Sequence, residues 1–358
     1  MNDYIPYISA DDFEASEFYK NSEDKFIVRR YCENTEFDYD YAICHPYGNR
    51  DDTSEDYVCL TAFCGSGKST DIVLPDSIDN MPVKEVGPDL FKFVGQTVLS
   101  VTIPDGIESI DERAFDRSPE LTVKVSSGNK AFSVCDGEML ISNNDGTLIW
   151  VDKKASGKIR IPEKVQSIGW NAFAGCGNIT DADVDENNKT YASVDGIVYR
   201  KDTFAAVFCP EGKTGLAELS DKCTAINEEA FAGCDKISEI IIPPSCKEIA
   251  DYAFEGCDSL LRLEIPSTVE VLHPRALSGI NNLERLSISK NTSFGDTEFG
   301  SRSLYIRTET LSDIFFDGSK AEWNKLNIVI YRSVFAAGNK NVTVHCTDGE
   351  LKEEGGRY

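Results

Sequence analysis

The sequence predicts a β-rich solenoid, a stack of similar coils with a parallel sheet along one side. Three observations carry that prediction. Ile242-Pro243 is followed 23 residues later by Ile265-Pro266 and another 23 later by Ile288, and Leu219 lies 23 before Ile242. The pair Ala230-Phe231 returns as Ala253-Phe254 and then, altered, as Ala276-Leu277, in the same steps of 23. Within a repeat, Leu263 and Ile265 alternate with Arg262 and Glu264, the pattern of a strand with one buried face. One such coil cannot bury its own apolar side, whereas stacked coils can.

Each element of a coil has a reason. Pro266 ends the strand because it has no N–H to add to a ladder. A second short apolar pair follows, Val269 with Leu272, and it matches Val165 with Ile168 and Ile107 with Ile110. The Ala-Phe pair then sits in a short turn or helix, closed by Gly175-Cys176, Gly233-Cys234 or Gly256-Cys257. Upstream, Ala114-Phe115, Ala172-Phe173 and Ala230-Phe231 are 58 apart, and 58 = 23 + 35, so the early coils carry inserts of 35 residues. The inserts resemble each other. Asn129-Lys130 precedes Asp136-Gly137 by seven, and Asn188-Lys189 precedes Asp195-Gly196 by seven. Asp-Gly between apolar stretches signals a hairpin turn, so each insert is expected to be a β-hairpin protruding from one coil.

The pattern I-P-x-x-V-x-x-I-x-x-x-A-F-x-G-C-x-x-L-x-x-L-x-I resembles the BspA-type leucine-rich repeat family, best at Ile161 to Val184 and Ile242 to Ile265. Leu74-Pro75 through Ile103 resembles an opening repeat, with Met81-Pro82-Val83 as a short extension. Asp313 to Leu326 is similar to the family's C-terminal coil, and Val344 to Gly349 to its last strand. The resemblance covers about residues 55 to 350. It weakens at Ala276-Leu277 and at Phe115-Asp116-Arg117-Ser118, where Gly-Cys is missing. It implies a right-handed leucine-rich-repeat solenoid with a parallel sheet, short helices or 3-10 turns, and two hairpin inserts. The expected organisation is an acidic, Tyr-rich cap over 1–58 and repeats over 59–310. The inserts fall at about 126–158 and 185–218, and a capping coil and tail fill 311–358.

The charge excludes several partners. With 36 Lys and Arg against 61 Asp and Glu, the net charge is −25, which argues against nucleic acid and anionic lipid. No apolar run approaches the roughly 20 residues of a membrane span. The N-terminus reads Met1-Asn2-Asp3-Tyr4 and carries no leader pattern, so the cytoplasm is the default location; the resemblance implies the cell surface or secretion instead. Ser9-Ala10-Asp11-Asp12 offers a helix cap, and the first 58 residues hold eight of the 14 Tyr; the stretch reads as hiding the first coil's edge, with a Tyr-rich contact surface as the alternative.

Three motifs invite chemistry and do not carry it. Gly65-Ser66-Gly67-Lys68-Ser69-Thr70 nearly matches a phosphate loop, but Asp71-Ile72-Val73-Leu74-Pro75 is β-like, so no helix follows to cradle a phosphate. Asp181-Ala182-Asp183-Val184-Asp185 imitates a calcium loop, yet Glu186 and Ala192 stand where Gly and Glu are needed. His45, His273 and His345 lie far apart in the repeat register, so no Cys/His site is expected. Twelve Cys include no C-x-x-C pair; Cys176, Cys234 and Cys257 share one repeat position and read as reduced core thiols.

The outward strand positions are the natural binding face. By alternation these are Ser100 and Thr102, Thr122 and Lys124, Asp181 and Asp183, Glu239 and Ile241, Arg262 and Glu264, and Arg285 and Ser287. Their charges read as compensating from rung to rung, Arg262 with Glu239 and Arg285 with Glu264. The resulting expectation is a non-enzymatic, monomeric scaffold without cofactor or metal, binding a protein or carbohydrate, and implied by the resemblance to act in adhesion. The alternatives are an intracellular scaffold and an enzyme using the N-terminal region or the inserts.

Overall fold

A computed structural model describes residues 28–32, 39–44, 56–63, 71–88, 90–91, 99–115, 121–295, 303–308, 310–332, 342–353 and 356–357. The phosphate-loop-like segment Gly65 to Thr70, the Ser9 cap and His45 lie outside the described residues. The fold is a β-solenoid of about eleven turns with almost no helix. It divides into two compact units, one within residues 1–152 and 167–173, the other within 153–166 and 174–358.

In the first unit the strands Val28–Cys32, Tyr39–Cys44 and Tyr57–Phe63 run antiparallel. Tyr57–Phe63 then pairs in parallel with Met81–Val86, which pairs with Ser109–Ile110. A second parallel sheet joins Asp71–Val73, Ser100–Ile103 and Thr122–Val125. The core between them is a chain of rings. Phe63, Phe91, Phe115 and Trp150 follow one another with centroids 6.3, 5.5 and 5.7 Å apart.

The second unit repeats the scheme more regularly. One face pairs Gly157–Ile161 with Ile179–Val184, and Gly215–Glu218 with Ile237–Ile241. It continues through Arg262–Glu264, Arg285–Ile288, Asp313–Phe316 and Val342–Cys346, and Gly349–Glu353 closes that sheet antiparallel. The other face stacks the short strands Ala225–Ile226, Glu248–Ile249, Val271–Leu272 and Ser293–Phe294. Inward residues fill the space between: Ile226, Ile249, Leu263 and Leu272 are buried, and Phe231 packs on Phe254 at 5.8 Å.

The Ala-Phe segments are hydrogen-bonded turns, and they too are zipped from coil to coil. Phe231 N–H donates to Ala253 C=O at 2.9 Å and Gly256 N–H to Gly279 C=O at 2.9 Å. The glycine is required here. Gly175, Gly233, Gly256 and Gly279 all have φ between +74° and +82°, and a Cβ on Gly256 would lie 3.3 Å from the Gly233 nitrogen. The one described helix, Lys320–Trp323, starts from a capping box between Ser319 and Glu322.

The inserts differ from simple protruding hairpins. Phe132–Cys135 and Met139–Ser142 form the expected antiparallel pair, but Thr147–Val151 adds a third strand and joins Ser167–Ile168 in parallel. Tyr191–Val194, Ile197–Arg200 and Ala206–Phe208 do the same beside Ala225–Ile226. The second insert thus extends the sheet of short strands, and the first forms a four-stranded sheet of its own that ends at Ser167–Ile168. Apolar content explains it: Met139, Leu140, Ile141, Leu148, Ile149 and Trp150 are all buried, too many for an exposed hairpin. Both Asp-Gly turns have positive φ at both residues, 53° and 77° at Asp136 and Gly137, and 50° and 77° at Asp195 and Gly196.

An asparagine anchors each insert. Fully buried Asn188 donates both Nδ2 hydrogens, to Pro162 and Val165 C=O at 2.9 Å, and its Oδ1 accepts from Thr190 and Tyr191 N–H at 2.9 and 2.8 Å. Asn129 repeats this with Pro104 and Ile107 C=O at 2.7 and 3.0 Å and Phe132 N–H at 2.8 Å. The amide satisfies backbone groups left open where the chain departs from the coil path.

Candidate functional site: the outward strand face

The long strands of each unit turn every second side chain away from the core. In the first unit Val73, Thr102 and Lys124 share one row and Asp71, Ser100 and Thr122 the next. Thr102 is half-buried and Lys124 exposed. Ser100 departs from expectation: it is buried, hydrogen-bonded to Asp71 and covered by Lys124 Nζ at 3.3 Å from its Oγ. Short side chains flanked by longer polar ones lose their access to water even on an outward row.

The second unit holds the other eight expected positions. Asp181 and Asp183 are half-buried and converge on Lys158, which lies 2.7 Å from Asp183 and 4.0 Å from Asp181. The Asp183 hydrogen bond pushes the Lys158 ammonium pKa up. Asp185 accepts from Arg160 at 3.1 Å. The acidic run that imitates a calcium loop is therefore a strand neutralised by bases on the adjacent coil. Among the described residues no group of three or more His, Cys, Asp or Glu is arranged to hold a metal ion.

Farther along, two rows are in register. Leu216 and Glu239 pair, as do Glu218 and Ile241. Arg262, Arg285, Asp313 and Thr343 form one row, and Glu264, Ser287, Phe315 and His345 the other. Glu239, Ile241, Arg262, Glu264 and Arg285 are exposed and Ser287 half-buried. The expected charge compensation does not form. Arg262 lies beside Arg285, and no ion pair within 4.0 Å joins Arg262 to Glu239 or Arg285 to Glu264. These groups stand in water, available to another molecule.

Sequence reasoning stopped at Ser287 and missed the C-terminal end of the face. There Phe315 is 43% exposed and stacks on His345, centroids 4.7 Å apart and planes within 12°. His345 Nε2 is 2.7 Å from Asp313 Oδ1 and its Nδ1 3.2 Å from Glu350 Oε1. The hydrogen bond from His345, aided by one from Ser312, holds the Asp313 carboxyl below the usual carboxylate range. The signal was present: the same alternation applied to Ile314-Phe315-Phe316 and Val344-His345-Cys346 turns Phe315 and His345 outward. It was obscured because Ser287 to Phe315 is 28 residues and Phe315 to His345 is 30, outside the 23-residue step.

Seven of the described cysteines, Cys176, Cys234 and Cys257 among them, are buried in the core. Cys234 Sγ lies 3.5 Å from Cys209 C=O and Cys257 Sγ 3.3 Å from Phe231 C=O, and burial pushes the Cys209 and Cys257 thiols up. All ten cysteines described at this level are free thiols. No helix among the described residues is long and apolar enough to cross a membrane.

Stacked coils, two parallel strand rows and an open outward face define a repeat scaffold. The profile of the BspA type leucine rich repeat region matches in six copies, over residues 56–136, 151–194 and 206–320. The chain belongs to the BspA-type leucine-rich repeat family. No curated protein matches it in sequence. Among solved structures, a leucine rich cell surface protein from Faecalibacterium prausnitzii is 18% identical over 83% of this chain and 97% of its own, with a TM-score of 0.35. A leucine-rich repeat protein from Eubacterium ventriosum is 15% identical, covering 86% and 88%, at 0.45. The pneumococcal vaccine antigen PcpA is 18% identical, covering 86% and 94%, at 0.42. At such scores the likeness carries no weight for function.

Proposed function

We propose that this chain is a non-enzymatic scaffold of the adhesion type that binds a protein through its outward strand face. The observation that carries the reading is the group of exposed Glu239, Arg262 and Glu264, none in an ion pair among the described residues, with Arg285 beside Asp313 and exposed Ile241, Leu216 and Phe315 around them. Parallel pairing fixes the backbone of this surface, so ordering on binding is confined to the side chains. Charged side chains left without partners beside apolar ones suit a mixed protein surface. Within the second unit the face also includes Asp181, Asp183 and Ser287, while Thr102 and Lys124 belong to the outward row of the first unit.

The test is capture of extracellular host proteins on an array by the intact chain and by a variant carrying Ile241→Asp, Arg262→Glu and Arg285→Glu. All three positions are exposed, so the variant keeps its fold, checked by its unfolding midpoint. The reading expects binding to one or more proteins to fall at least about tenfold, the equivalent of about 1.4 kcal/mol. Equal capture by both forms would remove this face as the site.

A further inference from the structure

We propose that the outward face of the second unit carries a slot for one cationic side chain of a partner protein, an arginine above all. Its wall is the Phe315 ring, its floor Ser287 and its far side the Glu264 carboxylate. The inference rests on the protein-binding reading and narrows it to one place and one chemistry.

Register builds the slot. Glu264, Ser287, Phe315 and His345 occupy one level of four successive strands. One face of the Phe315 ring is covered by His345, at 4.7 Å and 12°. That imidazole is hydrogen-bonded through Nε2 to Asp313 at 2.7 Å, which orients the ring, and Glu350 lies 3.2 Å from its Nδ1. The opposite face of the ring is turned toward the strand Arg285–Ile288, where the neighbour at that level is Ser287. A serine side chain is too short to cover a phenyl ring, and Phe315 stays 43% exposed. Glu264 comes one strand farther on, about 10 Å from the level of Phe315 at ordinary strand spacing. A planar group needs about 3.5 to 4 Å of clearance on each side. The slot therefore admits one planar group and not two.

The chemistry selects the group. A cation over a phenyl face is attracted by the ring's quadrupole. Glu264 is exposed and makes no ion pair within 4.0 Å, so its carboxylate is free to take a forked donor. Guanidinium fits the slot, its flat face on the ring and its positive charge opposite the carboxylate. Arg262 and Arg285 stand in the neighbouring row and oppose this, but Asp313, in register with Arg285, offsets the nearer one. The chain's net charge of −25 draws cationic partners to the surface.

The experiment is titration of the intact chain with a capped Gly-Gly-Arg-Gly-Gly peptide, its lysine and citrulline counterparts, and maltose. Citrulline keeps the shape of arginine without the charge. The expected result is binding of the arginine peptide, weaker for lysine, and weaker by about tenfold for citrulline and at high salt. Phe315→Ala and Glu264→Gln should each lower affinity at least about threefold, the scale of an exposed cation–π contact or ion pair. Ser287→Trp should fill the slot and abolish binding, with all three variants keeping the circular dichroism spectrum of the folded chain. No binding of the arginine peptide, equal binding of citrulline, or indifference to Phe315→Ala would overturn the slot. Maltose bound through Phe315 in place of arginine would assign it to carbohydrate and overturn it as well. Failure here together with array capture that still depends on Ile241 and Arg262 would leave the protein-binding reading standing.

Discussion

Replacing Asn188 by alanine removes four hydrogen bonds from a site with no access to water. The lost partners are the carbonyls of Pro162 and Val165 and the amides of Thr190 and Tyr191, all at 2.8 to 2.9 Å. A typical intramolecular hydrogen bond contributes about 1 kcal/mol net, and a buried group left without its partner costs about 1–3 kcal/mol. Four bonds at the lower figure give about 4 kcal/mol. Water reaching the outer two groups would halve the sum, so about 2–4 kcal/mol is expected. At a urea slope of about 2 kcal/mol per molar, the midpoint should fall by about 1–2 M. Asn188→Asp should be no milder, because it turns an acceptor toward the two carbonyls. Neighbouring Asn187, with an exposed side chain, supplies the control, and Asn187→Ala should stay within about 0.5 kcal/mol. The assay is urea unfolding followed by circular dichroism, with hydrogen exchange reporting on Tyr191–Val194. An Asn188→Ala midpoint equal to that of Asn187→Ala would refute the anchoring role.

Four further outcomes follow from the same structure. Phe254→Ala, which empties a fully buried ring site between coils, should destabilise by about 3–5 kcal/mol in urea unfolding. Gly256→Ala forces φ of +74° on a residue with a Cβ that approaches Gly233 and should cost about 1–2 kcal/mol; an unchanged midpoint would mean the turn relaxes freely. Asp313 is depressed in the fold by His345, so its stabilising effect is complete above about pH 4 and is lost as pH falls through its lower folded value. Asp313→Asn should therefore flatten that acid dependence of the unfolding temperature, and an unaltered pH profile would exclude the His345 contact as its source. Alkylation mapped by mass spectrometry should reach half-buried Cys135 and Cys346 well before buried Cys234 and Cys257; early modification of Cys257 would contradict the core assignment.

Much of the fold was legible because stacking imposes a period. Ala230, Ala253 and Ala276 recur at 23 because each must leave room for the next coil, and all are buried. The Asp-Gly turns announced themselves through their need for positive φ. The third strand of the first insert was not legible, because Thr147–Val151 is continuously buried and shows no alternation that a period-2 reading could find. Alternation put Glu239, Arg262 and Glu264 on exposed positions but carried no information on their pairing. Alternation places Arg262 and Glu239 on the same side, yet it cannot tell whether two long side chains spend their charge on each other or on water. It also could not show that Ser100 lies under Lys124, which depends on side-chain length across strands. Phe315 and His345 escaped because the last coils abandon the 23-residue step, although their local alternation was intact.

The central claim is that binding resides on the outward strands of the second unit. Its most direct test is affinity for a captured protein, measured with the intact chain, with the variant Ile241→Asp, Arg262→Glu and Arg285→Glu, and with an insert variant Lys201→Glu. The account predicts a loss of at least about tenfold for the first variant and no change for the second. Unchanged affinity of the face variant, or a loss confined to the insert variant, would contradict it.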